Sequence, residues 1–268
     1  MPTAALIYDF DHTLTPRNMQ EFGLMEELRS DPDDFWNECR QFALKYNADG
    51  ILSYMAVTLS RAKRLGITLR REDFVRLGGT IDFYPGVEEW FGKTKAFAKS
   101  VGLDLEHYII SSGMTELIEG SRIAKEFKAV YAASYCYDDD GQPFWPATAI
   151  NYTAKTQHLF RINKGILEIT NDRDLNDYTP EEKRRIPFRN MIYIGDGYTD
   201  VPCMKMTKQK GGTAIAVYQP EHGDVARSLL RQRRAHYALE SDYREGSDLW
   251  HVVCGILDDI AQQEREKA

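Results

Sequence analysis

Two short stretches hold carboxylates at spacings that suit chemistry. Asp9-Phe10-Asp11-His12-Thr13 places two acids at positions i and i+2, directly after the apolar run Ala4 to Tyr8. Two carboxylates held near each other in a poorly solvated site repel unless they share a proton or a cation. Mg²⁺ resolves that repulsion, because it prefers an octahedral shell of oxygens drawn from one or two carboxylates, waters and a substrate phosphate. The second stretch, Gly195-Asp196-Gly197-Tyr198-Thr199-Asp200, follows another apolar run, Met191 to Ile194. Its glycines permit tight turning and close backbone approach. The first stretch alone reads about as well as an exposed turn with solvated acids. At the ends of two separate apolar runs, the two stretches predict several carboxylates gathered on one rim.

The elements that must position these acids are strands of a parallel sheet. Ala4 to Tyr8 is short, apolar and partly β-branched, as a strand covered on both faces should be, and it delivers polar residues at its C-terminal end. Catalytic groups sit at that end in open α/β sheets. Similar runs recur at His107 to Ile110, Met191 to Ile194 and Thr213 to Val217, with helical patterns between them. The alternation predicts an α/β fold with a Rossmann-like parallel sheet core.

Between about Met19 and Gly79 the pattern changes to helical periodicity without a strand, with breaks at Ser30-Asp31-Pro32 and Ala48-Asp49-Gly50 that read as helix ends and N-caps. We expect an inserted α-helical cap over residues 16–79, and an α/β core built from residues 1–15 and 80–268. Val87 to Ser100 reads as a helix returning to that core. Tyr131 to Trp145 reads as a hairpin turning at Asp139-Asp140-Gly141, and Asn171 to Pro187 as an irregular surface insertion.

Composition narrows the function classes. The 268 residues are 43% hydrophobic and 28% charged, ordinary for a globular chain with a sizeable core. A net charge of −7 argues against a nucleic-acid or anionic-membrane surface, and the basic run Arg227 to Arg234 reads as a solvated helix face. Cys39, Cys136, Cys203 and Cys254 are widely spaced, which suggests neither zinc nor disulfides and fits a cytoplasmic setting. No signal-like leader or apolar run of membrane-spanning length is evident, so no membrane partner is expected.

The first stretch, Asp9-Phe10-Asp11-His12-Thr13-Leu14-Thr15, resembles the first motif of the haloacid dehalogenase superfamily, and Gly195 to Asp200 resembles the fourth. The resemblance is to its phosphoserine-phosphatase-like members, which carry a helical cap between motifs one and two. It implies that Asp9 is a nucleophile that accepts a phosphoryl group, and that Asp11 protonates the leaving alcohol and then activates water. It also implies Mg²⁺ held by Asp9, the backbone carbonyl of Asp11 and Asp196, with Asp200 in support. Asp11 favours a phosphate ester over an alkyl halide, since dehalogenating relatives lack that acid.

The same resemblance gives a second motif at Ser111-Ser112-Gly113, where Ser111 would bind the phosphoryl group and Ser112 stands as an alternative or as a helix N-cap, helped by amides of the following helix. The third motif is a lysine. Lys155 and Lys164 both qualify, and Lys155, which opens a helical pattern with Leu159 and Ile162, is preferred. Thr15-Pro16-Arg17-Asn18 stands where phosphoserine phosphatases carry a Glu that reads the substrate amine, which turns the expectation away from L-phosphoserine. The cap aromatics Phe22, Phe35, Trp36, Phe42 and Tyr54 read as cap core, and Arg17 and Cys203 as ordinary surface and core residues.

The resulting expectation is a Mg²⁺-dependent phosphatase that hydrolyses a small phosphorylated metabolite through an aspartyl-phosphate. The alternatives are a phosphotransferase or mutase on the same machinery, and a non-catalytic binding protein of the same fold. Oligomeric state is open between monomer and homodimer.

Overall fold

The computed structural model describes residues 1–220 and 222–267. Its centre is strand β1 (Thr3–Tyr8), buried throughout beyond Thr3 because neighbours cover both of its faces. Strands β2 (Asp104–Met114), β3 (Ala129–Tyr137), β4 (Pro143–Thr148), β5 (Met191–Gly195), β6 (Thr213–Tyr218) and β7 (Tyr237–Glu240) complete a sheet in the order β4-β3-β2-β1-β5-β6-β7. All neighbours are parallel except β3 and β4, which form the expected antiparallel hairpin.

The period of two along β1 sorts the core. Ala4, Leu6 and Tyr8 join one apolar cluster and Ala5 and Ile7 the other. The first is covered by α5 (Val87–Ser100) and by α11 (Asp248–Lys267); the second by α7 (Ala154–Lys164), α9 (Val201–Gln209) and α10 (Asp224–Arg231). Registers Tyr8↔Ile109 and Tyr8↔Ile194 bring the C-terminal ends of β1, β2 and β5 level, so Asp9, Ser111 and Asp196 emerge on one rim.

Between β1 and α5 lie four helices and no strand: α1 (Gly23–Glu27), α2 (Pro32–Tyr46), α3 (Gly50–Leu65) and α4 (Arg71–Gly78). The caps expected from sequence form. Asp31 accepts the Asp34 amide at 2.9 Å and Pro32 opens α2, while Asp49 accepts the Ile51 amide at 2.8 Å and α3 closes on Gly66 with φ 68°. Arg61 and Arg64 of α3 both reach Glu38 of α2, at 2.6 and 2.7 Å. Phe35, Tyr54 and Met55 of these helices belong to the same apolar cluster as Leu6 and Tyr8, so the inserted helices share a core with one face of the sheet.

Some expectations need correction. Asn171 to Pro187 contains a short helix, α8 (Asp172–Asn176), and a 3-10 turn at Glu181–Lys183. Only the first part of the Arg227 to Arg234 run is helical, since α10 ends at Arg231. The helix after β2, α6 (Thr115–Glu119), has Met114 at its N-cap position, so Ser112 does not cap it. No helix among the described residues is long and apolar enough to cross a membrane.

Candidate active site

Asp9 leaves the end of β1 and is tied down at once: its amide donates to Ile194 O at 2.9 Å, and its Oδ1 accepts the Phe10 amide at 2.7 Å. Asp196 and Asp200 arrive from the loop after β5. Asp9, Asp196 and Asp200 each offer an oxygen, all within 4.8 Å of one another. Gly195 is a close-approach glycine, because a Cβ there would stand 2.6 Å from Asp200 Cγ.

Lys155, at the start of α7, is fully buried between these acids. Its Nζ lies 2.8 Å from Asp9 Oδ2 and 2.8 Å from Asp200 Oδ1. Asp200 Oδ1 also accepts the Tyr193 hydroxyl at 2.7 Å, and Oδ2 the Gly197 amide at 3.3 Å. Three donor groups thus occupy Asp200, whereas among the described residues the Asp196 side chain is met by the Thr13 hydroxyl alone, at 3.5 Å. Asp200 anchors Lys155, while Asp196 keeps most of its acceptor capacity unused among the described residues.

The electrostatics show negative charge in excess. Burial, then the charge of Asp200, push the Asp9 carboxyl up to about 6 despite the opposing pull of Lys155. Burial, then Asp200 and Asp9, likewise hold Asp196 well above the usual carboxylate range. Burial alone would lower the Lys155 ammonium, yet Asp200 and Asp9 hold it above its ordinary value, so it stays charged. One ammonium among buried acids leaves room for a cation, and an all-oxygen donor set fits Mg²⁺.

Asp11 stands apart from the trio. Its Oδ1 accepts the Met19 amide at 2.7 Å, and burial, then the charge of Asp9, push its carboxyl up to about 8. A Cβ on Gly113 would run into Met19 Cε and stand 3.2 Å from Asp11 Oδ2, so glycine there makes room chiefly for the Met19 side chain. The carboxylate cluster that could hold a metal, among the described residues, is Asp9, Asp196 and Asp200, without the Asp11 side chain.

Ser111 is buried on β2, and its Oγ accepts the Gly113 amide at 3.0 Å, which leaves its own proton uncommitted among the described residues. Ser112 is half-buried, and its carbonyl receives the Tyr54 hydroxyl at 3.1 Å. The two amides that follow Ser112, ahead of α6, have partners within the protein. The Gly113 amide is spent on Ser111, the Met114 amide meets Met19 Sδ at 3.1 Å, and α6 is five residues long. Lys164, at the other end of α7, is remote from the acids: its Nζ donates to the carbonyls of Leu175 and Asp177, both at 2.6 Å.

Sequence reasoning missed three contributors. Tyr193 read only as one more apolar residue of its strand, although the period of two places it with Ala5 and Ile7 on the α7 face. Glu21 sits in the turn before α1, where Trp36 Nε1 at 2.7 Å and Asn18 Nδ2 at 2.5 Å both donate to its Oε1. Its charge adds, after burial and Asp9, to the pressure on Asp11. Met19 holds Asp11 through its amide while its Sδ faces Met114. Of the cap aromatics, Tyr54 lies in the core and its hydroxyl reaches Ser112, and Arg17 is exposed with its guanidinium 4.3 Å from the Phe22 ring centroid.

Comparison with known proteins agrees with this geometry. The chain is 30% identical, over 93% of its own length and 94% of the relative's, to an uncharacterized protein of Borreliella burgdorferi. Among solved structures it resembles a HAD family hydrolase of Salmonella enterica serovar Typhi (TM-score 0.57, 17% identity, 89% of this chain and 68% of that one). It also resembles a substrate-bound phosphoserine phosphatase (TM-score 0.55, 15% identity, 94% and 98%) and a probable phosphoserine phosphatase of Vibrio cholerae (TM-score 0.57, 14% identity, 98% and 68%). At such identities the likeness is one of fold. The family model of haloacid dehalogenase-like hydrolases matches residues 6–205, and the chain is an enzyme of that family.

Proposed function

We propose that the protein is a Mg²⁺-dependent phosphomonoesterase that works through a phosphorylated Asp9. The observation that supports it best is Lys155, wholly buried and bridging Asp9 and Asp200 at 2.8 Å each. An ammonium so placed keeps Asp9 ionised against a burial that would protonate it, which a nucleophilic carboxylate requires. Asp11, pushed up to about 8, is protonated at neutral pH and can give its proton to the leaving oxygen, then take one from the attacking water. The uncommitted Ser111 proton is available to a phosphoryl oxygen.

Asp9 and Asp196 would hold Mg²⁺ directly, with Asp200 fixing Lys155. Mg²⁺ bound there supplies charge neutralisation for the transferring phosphoryl group. The substrate class is a small phosphate monoester, reached through the inserted helices acting as a cap over residues 16–79. A cytoplasmic setting accords with four free cysteines.

The test is phosphate release from para-nitrophenyl phosphate and a panel of small phosphate esters, with Mg²⁺ and with EDTA. We expect wild-type turnover that EDTA abolishes, and a loss of about 10³-fold or more in Asp9→Asn with the fold retained. Undiminished turnover in Asp9→Asn would sink the mechanism.

A further inference from the structure

A cleft of about 590 Å³ opens beside Asp196, a size suited to a small-molecule site. The register Gly195↔Ala216 sets the end of β6 level with the loop that carries Asp196, so the cleft lies at the C-terminal rim of the sheet, where open α/β folds bind ligands. Five rings line it: His12, Tyr84, Tyr198, Tyr218 and His222. No Lys or Arg is among its described lining residues. The nearby Arg227 is already engaged, with its guanidinium 5.6 Å from the Tyr218 ring centroid and paired to Asp224 at 2.9 Å.

Two features mark the cleft as built for a ligand. His12 holds a left-handed backbone, φ 57°, between Asp11 and Thr13, a conformation that strains most side chains and that gathers at functional positions. The Tyr84 hydroxyl is buried against the Gln219 and Ser241 side chains, which holds its ring fixed in the cleft wall.

We infer that this cleft receives the leaving group of the substrate, and that the substrate is a phosphate monoester whose alcohol carries an aromatic or heteroaromatic ring. The inference rests on the phosphomonoesterase reading and gives it a substrate class. Asp196 belongs both to the carboxylate trio and to the cleft wall, so the rings stand beside a phosphoryl group held at the acids. Faces and edges of the five rings match a planar group. A leaving group with a carboxylate or a second phosphate finds no Lys or Arg among the described lining residues.

Binding of two phosphonates separates this inference from turnover, because a C–P bond is not hydrolysed by an esterase. Benzylphosphonate carries the ring and ethylphosphonate does not. With Mg²⁺ present, calorimetry should show benzylphosphonate bound at least about tenfold more tightly, the ratio that about 1.4 kcal/mol gives. His222→Ala, at an exposed position, and Tyr218→Ala, checked for folding by circular dichroism, should each remove most of that preference and leave ethylphosphonate binding unchanged. Equal affinities, no binding of either compound, or a preference that survives both substitutions overturns the inference. Failure of Asp9-dependent phosphate release alongside a ring preference would instead count against the esterase reading alone.

Discussion

The two ends of α7 carry lysines of identical chemistry in opposite circumstances. Lys155 is sealed from solvent between two carboxylates, whereas Lys164 is half-buried and donates to two backbone carbonyls of the segment that follows. Between them His158 is buried with neither ring nitrogen hydrogen-bonded among the described residues, stacked on Tyr131 with centroids 4.3 Å apart. One helix therefore holds a charge kept by its surroundings, a charge suppressed by them, and a charge used as structural tie. Burial alone does not decide among these outcomes; the partner within reach does.

The sharpest way to break the comparison is Lys155→Met. It leaves Asp9 and Asp200 buried without their counter-charge, and Asp9 then takes a proton more readily and loses its nucleophilicity. We expect kcat to fall about 10³-fold, comparable to removal of a charge-stabilising donor from an active site. Lys155→Arg should not rescue it, because a fully enclosed position sized for an ammonium cannot seat the larger guanidinium. Steady-state kinetics on the best ester of the panel checks both, and a kcat within threefold of wild type in Lys155→Met would show that the lysine is only structural.

Much of this was legible beforehand, for physical reasons that differ from place to place. β1 and β5 are buried on both faces, so their sequences are unbroken apolar runs, and the acids at their ends stand out by contrast. Asp31 and Asp49 announced their helices because capping is local chemistry. β7 gave no such signal: Tyr-Ala-Leu-Glu is a short edge strand, partly exposed, and only pairing with β6 makes it a strand. The choice between Lys155 and Lys164 turned on three-dimensional placement, since both lie near the ends of one amphipathic pattern. Tyr193 was hidden by its company, as a hydroxyl inside an apolar run shows its use only when Asp200 is seen beside it.

A second prediction concerns the suppressed charge. Burial, then the nearby Arg161 guanidinium, lower His158 to about 4, below the ordinary value of 6.5 that it regains on unfolding. Between those values the unfolded chain binds the extra proton, so the stability that the neutral ring contributes is present above pH 6.5 and drains away as pH falls towards 4. The loss approaches about 1.4 kcal/mol per pH unit, and about 3 kcal/mol in total. Asp9 and Asp11, whose carboxyls are raised, push the other way in wild type and variant alike and cancel in the difference. Urea unfolding of wild type and His158→Phe at pH 7, 6 and 5 should show the variant gaining relative stability as pH drops. Parallel pH dependence in the two proteins would refute the assignment.

The smallest expected effect belongs to Lys164→Met. Its ammonium reaches the carbonyls of Leu175 and Asp177 at the end of α8, where a helix leaves acceptors unpaired and a cation is favoured. Partial exposure dilutes the gain, so the substitution should cost about 1 kcal/mol. The cost should appear locally, as faster amide hydrogen exchange over residues 172–177, while kcat and KM stay within twofold. That pattern is the complement of the one expected for Lys155→Met, in which turnover collapses and exchange at 172–177 is unchanged. A tenfold loss of kcat in Lys164→Met would mean that the two ends of α7 are coupled, and that the short helix beyond it helps to set the position of Lys155.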